Sequence, residues 1–325
     1  MLVYVLAIDG AAALNTLSVL DSLAKSNDAW RFMGDADAED LFETQSAGPR
    51  GVARFHRGVS LEPSFRPSTA PTPGLVIIPG LADDVAASIR ENEGWVDWIR
   101  RWHDEGAVVA SSCTGAFLLA EAGILDGRRA TTHWVAADFL AAAYPAVEVN
   151  AEALIIDEGS VITSAGATTA FNLILYIIGR FGGQERVNAA TRLMLLDSGR
   201  ASQQPFALTA LHRDHADSVV HDAQTLVQNA VVDDLTVGGL AAAVGVSPRT
   251  LTRRFREALD ITPQTYLEEV RVGAVRRLLE ETQMPIDEVR TRVGFSDPTS
   301  FRRAFKRQTG LTPGDYRQRF SAVRR

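Results

Sequence analysis

The chain of 325 residues has one cysteine and two lysines, and none of its apolar runs reaches the length of about 18 residues that a membrane-spanning helix needs. The single cysteine, Cys113, excludes an intrachain disulfide framework and is typical of a reducing compartment. The first residues, MLVYVLAIDGAAALNTL, are apolar but have no basic segment before them, so they predict a strand entering a helix and not a signal peptide. We therefore expect a cytoplasmic protein that does not bind a membrane.

The charge of the chain is divided unevenly along its length. Hydrophobic residues make up 46% and charged residues 22%, as in a typical globular protein, and the length suits about two domains. Residues 225–325 contain 17 Arg and Lys against 12 Asp and Glu, a net charge of +5, whereas residues 1–224 carry −12. A basic C-terminal third indicates a nucleic-acid-binding module fused to a different domain, with a solvated arginine-rich surface as the alternative.

Short apolar runs alternate with helix-length amphipathic segments over the first two hundred residues. Strands separated by helices of this length predict βαβ units, and hence an α/β fold with a parallel sheet covered on both faces. In such sheets the ligand binds at the carboxyl ends of the strands. The predicted strands are 3–8, 75–78, 107–110 and 161–163, and the predicted helices are 13–26, 95–105, 115–122 and 168–181.

Cys113 lies where a predicted strand turns into a predicted helix, in the run VVASSCTGAFLLAEAG. At a helix N-terminus, the helix dipole and the unpaired amides are expected to lower the pKa of a thiol. His133, in the run TTHW, is a candidate base or hydrogen-bond partner, and the amides of Gly80 and Thr114 are a candidate donor pair for an oxyanion or a ligand carboxylate. The alternative is that Cys113 is a small buried hydrophobic side chain.

The run CTGAFLLAEAGILDGRRATTHW, together with the IIPG loop, resembles the DJ-1/PfpI superfamily in the version that is fused to transcription regulators. The resemblance covers residues 1–195 and implies a flavodoxin-like sandwich with Cys113 at a nucleophile elbow. Catalytic members have an acid that contacts the cysteine, but this chain has Asn15 at that place, and Asn172, where related regulators often have Asp, is a second departure. A neutral amide cannot act as the acid, so we expect a ligand pocket and not an enzyme. The expected ligand-binding residues are Asn15, Gly80, Cys113, Thr114, His133 and Trp134, and no cofactor is expected.

Residues 197–224 are expected to form a linker between the two domains, without periodicity at first and then entering a helix. His212 and His215 are three residues apart and share a helical face, but their spacing matches no specific metal motif. No metal site is therefore predicted. The other polar residues considered as ligands here are Asp214, Asp217 and His221.

One stretch of the C-terminal third occurs twice, as VGVSPRTLTRRFREALDITPQTY and as VGFSDPTSFRRAFKRQTGLTPGDY. From the cap onward the two copies align at an offset of 50 residues, and Ser296 is one extra residue in the second copy. In each copy a short helix, 237–244 or 286–293, precedes a turn with glycine. A capping residue and a proline, Ser247-Pro248 or Asp297-Pro298, then begin the second helix. This order is typical of a helix-turn-helix.

The second helix of each copy has one apolar and one polar face. Leu251 with Phe255, and Phe301 with Phe305, are spaced i, i+4 and are expected in the core. A helix-turn-helix lays the opposite face in the major groove of DNA, and a long helix over 263–282 is expected to set the distance between the two units. The expected DNA-binding residues are Arg249, Thr250, Thr252, Arg253, Thr299, Ser300, Arg302 and Arg303.

Residues 225–320 resemble the DNA-binding domain of the AraC/XylS family, above all in the run VGFSDPTSFRRAFKRQTGLTPGDYRQRF. Arg290 stands where that family usually has a small residue, so looser packing is expected there. The two resemblances together imply a one-component transcription regulator. Its expected domains are 1–196 for sensing and dimerisation, 197–224 as the linker, and 225–325 as a double helix-turn-helix.

The resemblance also implies how such a regulator works. A small-molecule effector, often a nitrogenous metabolite in this family, is expected to control binding to double-stranded DNA and to activate a catabolic operon through RNA polymerase, in a homodimer. Two alternatives concern the thiol. In the first alternative, the N-terminal domain is an active cysteine hydrolase or hydratase that turns over its inducer. In the second, Cys113 is an oxidation sensor. Asn15 argues against the first of these.

Overall fold

The computed structural model of the chain describes residues 1–48, 51–196, 199–200, 202–207, 215–229 and 235–322. The chain divides into two compact units, Met1–Gln203 and Gln204–Arg325. The division lies within the segment that was predicted as a linker, and the domain limits given above stay predictions.

The first unit is an α/β structure. Its strands are β1 (Leu2–Leu6), β2 (Glu43–Ala47), β3 (Ala53–Arg54), β4 (Ser60–Leu61), β5 (Leu75–Ile78), β6 (Val108–Ser112), β7 (Arg129–Ala130), β8 (Glu148–Val149), β9 (Ile155–Asp157) and β10 (Val161–Ser164). Its helices are α1 (Ala13–Met33), α2 (Val85–Glu91), α3 (Gly94–Asp104), α4 (Ala116–Glu121), α5 (Ala137–Ala143), α6 (Ala170–Gly182) and α7 (Gln184–Met194).

Six strands form one sheet in the order β2-β1-β5-β6-β10-β9. All neighbours in this sheet are parallel except β9, which pairs antiparallel with β10 at the edge. The mostly parallel sheet was predicted, and the antiparallel edge strand was not. β2 was also missed, because its sequence, ETQSA, has no apolar alternation and occupies the opposite edge.

The sheet is buried on both faces, as the apolar runs of its central strands predict. On one face Trp95, Trp102 and Phe117 belong to the core that α3 and α4 form against the strands. On the other face Leu23 of α1 and Ile174 of α6 belong to the second core. These two layers hold the carboxyl ends of β5, β6 and β10 side by side.

The second unit is helical. Its apolar residues form two clusters, and α11 contributes to both: Tyr266 and Leu267 to the first, Val275 and Leu279 to the second. α11 therefore joins two small cores, one for each copy of the repeat. Its helices are α8 (Ser218–Asn229), α9 (Val237–Ala243), α10 (Pro248–Leu259), α11 (Pro263–Glu281), α12 (Ile286–Arg292), α13 (Pro298–Thr309) and α14 (Pro313–Phe320).

The predicted start of each second helix is present. The Ser247 hydroxyl accepts a hydrogen bond from the amide of Thr250 at 3.1 Å, and the Asp297 carboxylate accepts one from the amide of Ser300 at 2.6 Å. The preceding turns contain Gly245 and Gly294, with φ of 72° and 81°, a left-handed backbone that glycine adopts without strain. The four predicted core residues, Leu251, Phe255, Phe301 and Phe305, are buried.

The helix that was expected at the end of the predicted linker is α8. Its residues Val220, Ala223 and Val227 lie on one helical face and are buried in the first core of the second unit. Asp217, just before α8, contacts Arg254 of α10 at 3.0 Å. In the described part of the chain no helix is both long and apolar enough to cross a bilayer.

Candidate functional site

Cys113 forms the sharp turn that the sequence predicts. It follows β6, begins a 3-10 turn, Cys113–Gly115, and leads directly into α4. Its φ of 56° is in the left-handed region, which is uncommon for a residue with a side chain. Two hydrogen bonds hold this backbone: the Cys113 amide donates to the carbonyl of Ala165 at 3.2 Å, and the Thr132 hydroxyl donates to the Cys113 carbonyl at 2.8 Å.

The pKa of the Cys113 thiol is raised, so the prediction of a lowered pKa is wrong. Burial raises the pKa of Cys113, since a charged thiolate loses its solvation there. Hydrogen bonds from the backbone amides of Thr114 and Ala167 to the sulfur act in the opposite direction but do not outweigh burial. Ala167 was not singled out in the sequence, and it also has a left-handed φ, 55°.

His133 is a neighbour of the thiol. A Cβ atom placed on Gly166 would lie 2.0 Å from Cδ2 of His133 and 2.8 Å from Sγ of Cys113, so only glycine fits between the two side chains. Burial lowers the pKa of His133, and its Nδ1 accepts a hydrogen bond from the amide of Val135 at 3.2 Å. The ring is therefore neutral near pH 7, with its proton on Nε2.

Asn15, at the place of the family's acid, is buried and donates from Nδ2 to the Ser112 hydroxyl at 3.0 Å. It lies near the thiol all the same. A Cβ atom on Gly80 would be 3.4 Å from Sγ of Cys113 and 3.6 Å from Nδ2 of Asn15. Asn15, Gly80 and Cys113 are thus brought together, but the polar atom of Asn15 is engaged with Ser112.

The other two predicted ligand residues border this cluster. The Thr114 hydroxyl accepts from the amide of Leu81 at 2.8 Å and so ties the two strand-end loops together. The Trp134 ring lies 5.7 Å from that of His133, and its backbone amide donates to Oε1 of Gln203 at 3.0 Å.

Gln203 holds the His133 loop and was missed in the sequence. It is buried, and its amide nitrogen donates to the Thr132 carbonyl at 2.8 Å. It lies 69 residues from Trp134 in the chain, in a polar segment without periodicity. No pattern in the sequence connects the two residues.

A cavity of about 320 Å³ adjoins the cluster through Leu81. Its size suits a small molecule, since ligand pockets begin at about 300 Å³. Asp83 and His56 are its titratable residues, and the charge of Asp83 also helps to raise the pKa of Cys113. Neither residue was predicted. The remaining lining residues are Gly10, Ala12, Ala13, Leu14, Val59 and Ala82.

The histidines of the predicted linker are only partly within the described residues. His212 and Asp214 lie outside them. Nε2 of His215 is 2.9 Å from Oε1 of Gln224. Among the residues that the structure describes, no three His, Cys, Asp or Glu side chains are grouped to hold a metal ion.

The predicted DNA-binding residues lie on the solvent-facing sides of α10 and α13. Arg249, Arg302 and Arg303 are exposed, and within the described ranges none of them forms a salt bridge, although Arg302 interacts electrostatically with Asp287. Arg253 is also exposed, but Nη1 donates to both carboxylate oxygens of Glu257 at 2.9 Å.

The hydroxyl-bearing members of the predicted set divide in a similar way. Thr299 and Ser300 are exposed at the start of α13. The Thr252 hydroxyl donates to the Pro248 carbonyl at 2.8 Å, and the Thr250 hydroxyl lies 2.8 Å from that of Ser247. Because the hydroxyls of both threonines on α10 are engaged within the helix, their methyl groups are the parts that can contact another molecule.

Arg290 does not loosen the second helix-turn-helix as expected. Its side chain is 11% exposed, and its guanidinium donates to Asp287 at 2.7 Å. It also donates to the carbonyls of Phe295 and Ser296, the latter at 2.8 Å. The guanidinium thus binds the turn that contains the extra residue of the second copy.

Sequence comparisons agree with this two-part architecture. The sequence profile of the DJ-1/PfpI family matches residues 3–180. The chain belongs to the DJ-1/PfpI family. The profile of a helix-turn-helix domain matches residues 240–319, so this DJ-1/PfpI member also carries an AraC-type DNA-binding domain.

Several transcription regulators resemble most of the chain. The HTH-type transcriptional regulator CdhR of Pseudomonas aeruginosa is 33% identical over 224 residues, which cover 68% of this chain and 66% of that protein. The regulator GbdR of the same organism is 28% identical over 302 residues, covering 92% and 81%. GlxA of Rhizobium meliloti is 30% identical over 226 residues, covering 68% of each chain. This member of the DJ-1/PfpI family is thus one of the DNA-binding transcription regulators.

Solved structures support the fold of the first unit. Drosophila melanogaster DJ-1beta superposes with a TM-score of 0.51 at 20% identity, over 60% of this chain and 98% of that one. A THiJ/PfpI family protein from Pseudomonas syringae gives a TM-score of 0.51 at 21% identity, over 70% and 86%. At these identities the likeness concerns the fold alone, and it confirms the flavodoxin-like sandwich.

Proposed function

We propose that this regulator reads DNA with α10 and α13 and that a small molecule bound beside Cys113 controls it. The observation that carries the proposal is the repeated unit of two capped helices, each with a buried apolar face and an exposed cationic face. α11 joins the two cores, so both helices stand on one frame. Two such helices can enter successive major grooves about one helical turn apart.

The exposed arginines supply the contacts that this function needs. Arg302 and Arg303 on α13, and Arg249 at the start of α10, are candidates for phosphate and guanine contacts. On α10, the methyl groups of Thr250 and Thr252 are candidates for apolar contact with thymine. On α13, Ser300 has the position that corresponds to Thr250, and Thr299 has the position that corresponds to Arg249.

The elbow region supports ligand binding and not catalysis. The pKa of the Cys113 thiol is raised by burial, the pKa of His133 is lowered by burial, and the side-chain amide of Asn15 donates a hydrogen bond to the Ser112 hydroxyl. The neighbouring cavity, which meets this cluster at Leu81, has Asp83 as its acidic residue. A ligand with an ammonium or quaternary amine group would complement that carboxylate, as expected for a nitrogenous metabolite.

The remaining parts of the proposal concern assembly. We place dimerisation on the first unit, where Leu14 and Leu17 of α1 are exposed apolar side chains one helical turn apart. The ligand-bound homodimer activates a catabolic operon through contact with RNA polymerase.

An electrophoretic mobility shift of the full chain with its own upstream region tests the DNA contact. We expect sequence-selective binding that weakens steeply with salt, because phosphate contacts release counterions. Failure to bind in the presence and absence of candidate amino acids and quaternary amines would reject the proposal.

A thermal-shift screen with the same compounds tests the effector site. A ligand should raise the melting temperature of the wild type, since binding to the folded state adds about 2.7 kcal/mol of stability at one hundred times Kd. Asp83→Asn should reduce that rise. Equal shifts in wild type and Asp83→Asn would show that the ligand does not bind in this cavity.

Replacement of the thiol separates this function from its alternatives. Cys113→Ser should respond normally to the inducer if the elbow only binds ligand. Loss of the response together with Cys113-dependent turnover of amides or carbonyl compounds would favour a hydrolase. Loss together with peroxide-dependent sulfenic acid would favour an oxidation sensor.

A further inference from the structure

The two recognition helices carry opposite charges at one position of the repeat. With the offset of 50 residues, Arg253 of α10 corresponds to Arg303 of α13, and Glu257 corresponds to Arg307. An acid on the first helix therefore replaces a base on the second, four residues after the shared arginine. This spacing places the two side chains next to each other on the helix surface.

The contacts of the shared arginine follow from that difference. On α10, Nη1 of Arg253 donates to both oxygens of Glu257 at 2.9 Å, and the two side chains are 61% and 58% exposed. On α13, Arg307 turns to Glu268 of α11. Arg303 has no carboxylate partner among the residues that the structure describes.

The Glu257 contact leaves two donor sites of Arg253 unused. With Nη1 occupied by the carboxylate, Nη2 and Nε still present N–H groups along the other side of the planar guanidinium. Guanine accepts from arginine through two atoms on one edge, O6 and N7. The bound carboxylate therefore restricts the guanidinium without blocking the pair of donors that a guanine needs.

The same carboxylate disfavours contact with the DNA backbone. Glu257 offsets the charge of Arg253, and its carboxylate would face a phosphate of like charge, which repels it. Base edges are uncharged and do not oppose the pair in this way. Arg303, without a carboxylate beside it, keeps its full attraction for phosphate.

We propose that Glu257 is a specificity-determining positioning residue, which directs Arg253 to a guanine in the half-site read by α10. Arg303 of α13, which has no carboxylate partner among the described residues, binds backbone phosphate instead. The two copies of the repeat thus have different tasks: the first selects sequence, and the second supplies affinity. This inference depends on the proposed function, in which α10 and α13 face DNA.

Selection from a random-sequence duplex library, followed by salt titration of binding to the selected and a scrambled duplex, tests the inference with the full chain. Wild type should select a guanine in one half-site. Glu257→Gln should lose that preference, with the ratio of specific to non-specific affinity falling about fivefold to 150-fold, the range for one bidentate base contact. It should also bind the scrambled duplex more tightly, with a steeper salt dependence.

Three further variants make the outcome decisive. Glu281→Gln changes the net charge equally at an exposed site on α11 and should leave the selected sequence unchanged. Arg253→Ala should lose the same guanine as Glu257→Gln. Arg303→Ala should weaken binding to every sequence and reduce the salt slope by about 1.

The results distinguish a failure of this inference from a failure of the proposed function, in which α10 and α13 bind DNA. If Glu257→Gln selects the same sequence as Glu281→Gln while Arg253→Ala does not, Arg253 reads a base without the help of Glu257 and the inference is overturned. If neither arginine variant changes DNA binding, the proposed recognition surface is wrong, and the inference is overturned with it.

Discussion

The side-chain amide of Asn15 donates a hydrogen bond to the Ser112 hydroxyl at 3.0 Å, one residue before the Cys113 turn. Both partners are buried, at 3% and 0% exposure. The bond links α1 to the end of β6, so the side-chain amide of Asn15 has a structural role here. Asn15 thus helps to hold the elbow together.

We expect Asn15→Ala to destabilise the first unit by about 1–3 kcal/mol, because the buried Ser112 hydroxyl loses its partner. Urea unfolding followed by tryptophan fluorescence measures this, since all five tryptophans precede residue 135. Asn188→Ala, at an exposed site on α7, is the control and should change stability by less than about 0.5 kcal/mol. Equal effects of the two variants would contradict the role of the Ser112 bond.

Cys113 should react slowly with iodoacetamide at neutral pH. The thiolate is the reacting species, and burial raises the pKa of this thiol above its ordinary value of about 8.5. The alkylation rate of the folded protein should therefore still be rising at pH 9. The chain unfolded in urea is a direct control, because it exposes the same single cysteine. A rate that levels off below pH 8 would show an activated thiol.

The cap of α13 should make the second helix-turn-helix sensitive to acid. The pKa of Asp297 is lowered, first by the hydrogen bond from the Ser300 amide and then by that from its hydroxyl. The charged carboxylate thus stabilises the fold above its unfolded pKa of about 3.9, and this contribution is lost as the pH falls through the lower folded value. The corresponding cap of α10, Ser247, does not titrate in this range.

Asp297→Ser gives the second copy the cap of the first and tests that expectation. The difference in stability between wild type and Asp297→Ser should be constant above about pH 5 and should change between about pH 4 and pH 2. Unfolding followed by far-ultraviolet circular dichroism is the measurement. A difference that does not depend on pH would show that the carboxylate charge adds nothing to the cap.

Arg290→Ala should lower the urea midpoint of the second unit. The substitution restores the small residue usual in the family, yet it leaves the carbonyls of Phe295 and Ser296 without the donor that they have here. Circular dichroism is again required, because no tryptophan lies in this unit. Arg292→Ala, on the same helix but exposed, should have a smaller effect. If both variants unfold at the same midpoint, Arg290 does not stabilise the turn.

The local pattern of the sequence was sufficient for much of the fold. The strand predicted over 75–78 has those bounds in the structure, and the long helix predicted over 263–282 ends one residue earlier, at Glu281. Both depend on apolar spacing and on caps within a few residues. The edge strands β2 and β9 escaped prediction, because pairing at an edge requires little apolar alternation.

The sequence predicted which residues lie near Cys113, but it did not predict the direction in which the thiol pKa is shifted. The turn at Cys113 and the nearness of His133 followed from the sequence and its family resemblance. The thiol pKa was predicted in the wrong direction, because the dipole argument considers one helix end while burial depends on every layer packed around it. Gln203 and Ala167 were missed because the residues that they contact are distant in the chain, so no local pattern connects them.

The sequence by itself determined the repeat, its caps, its charge and the position of the elbow cysteine, because these features follow from neighbours along the chain. Only the tertiary structure decided that Asn15 binds Ser112, that Gly166 admits Cys113 and His133 side by side, and that Arg290 binds a turn. Hydrogen bonds and desolvation act between atoms close in space, and the folded chain alone brings those atoms together.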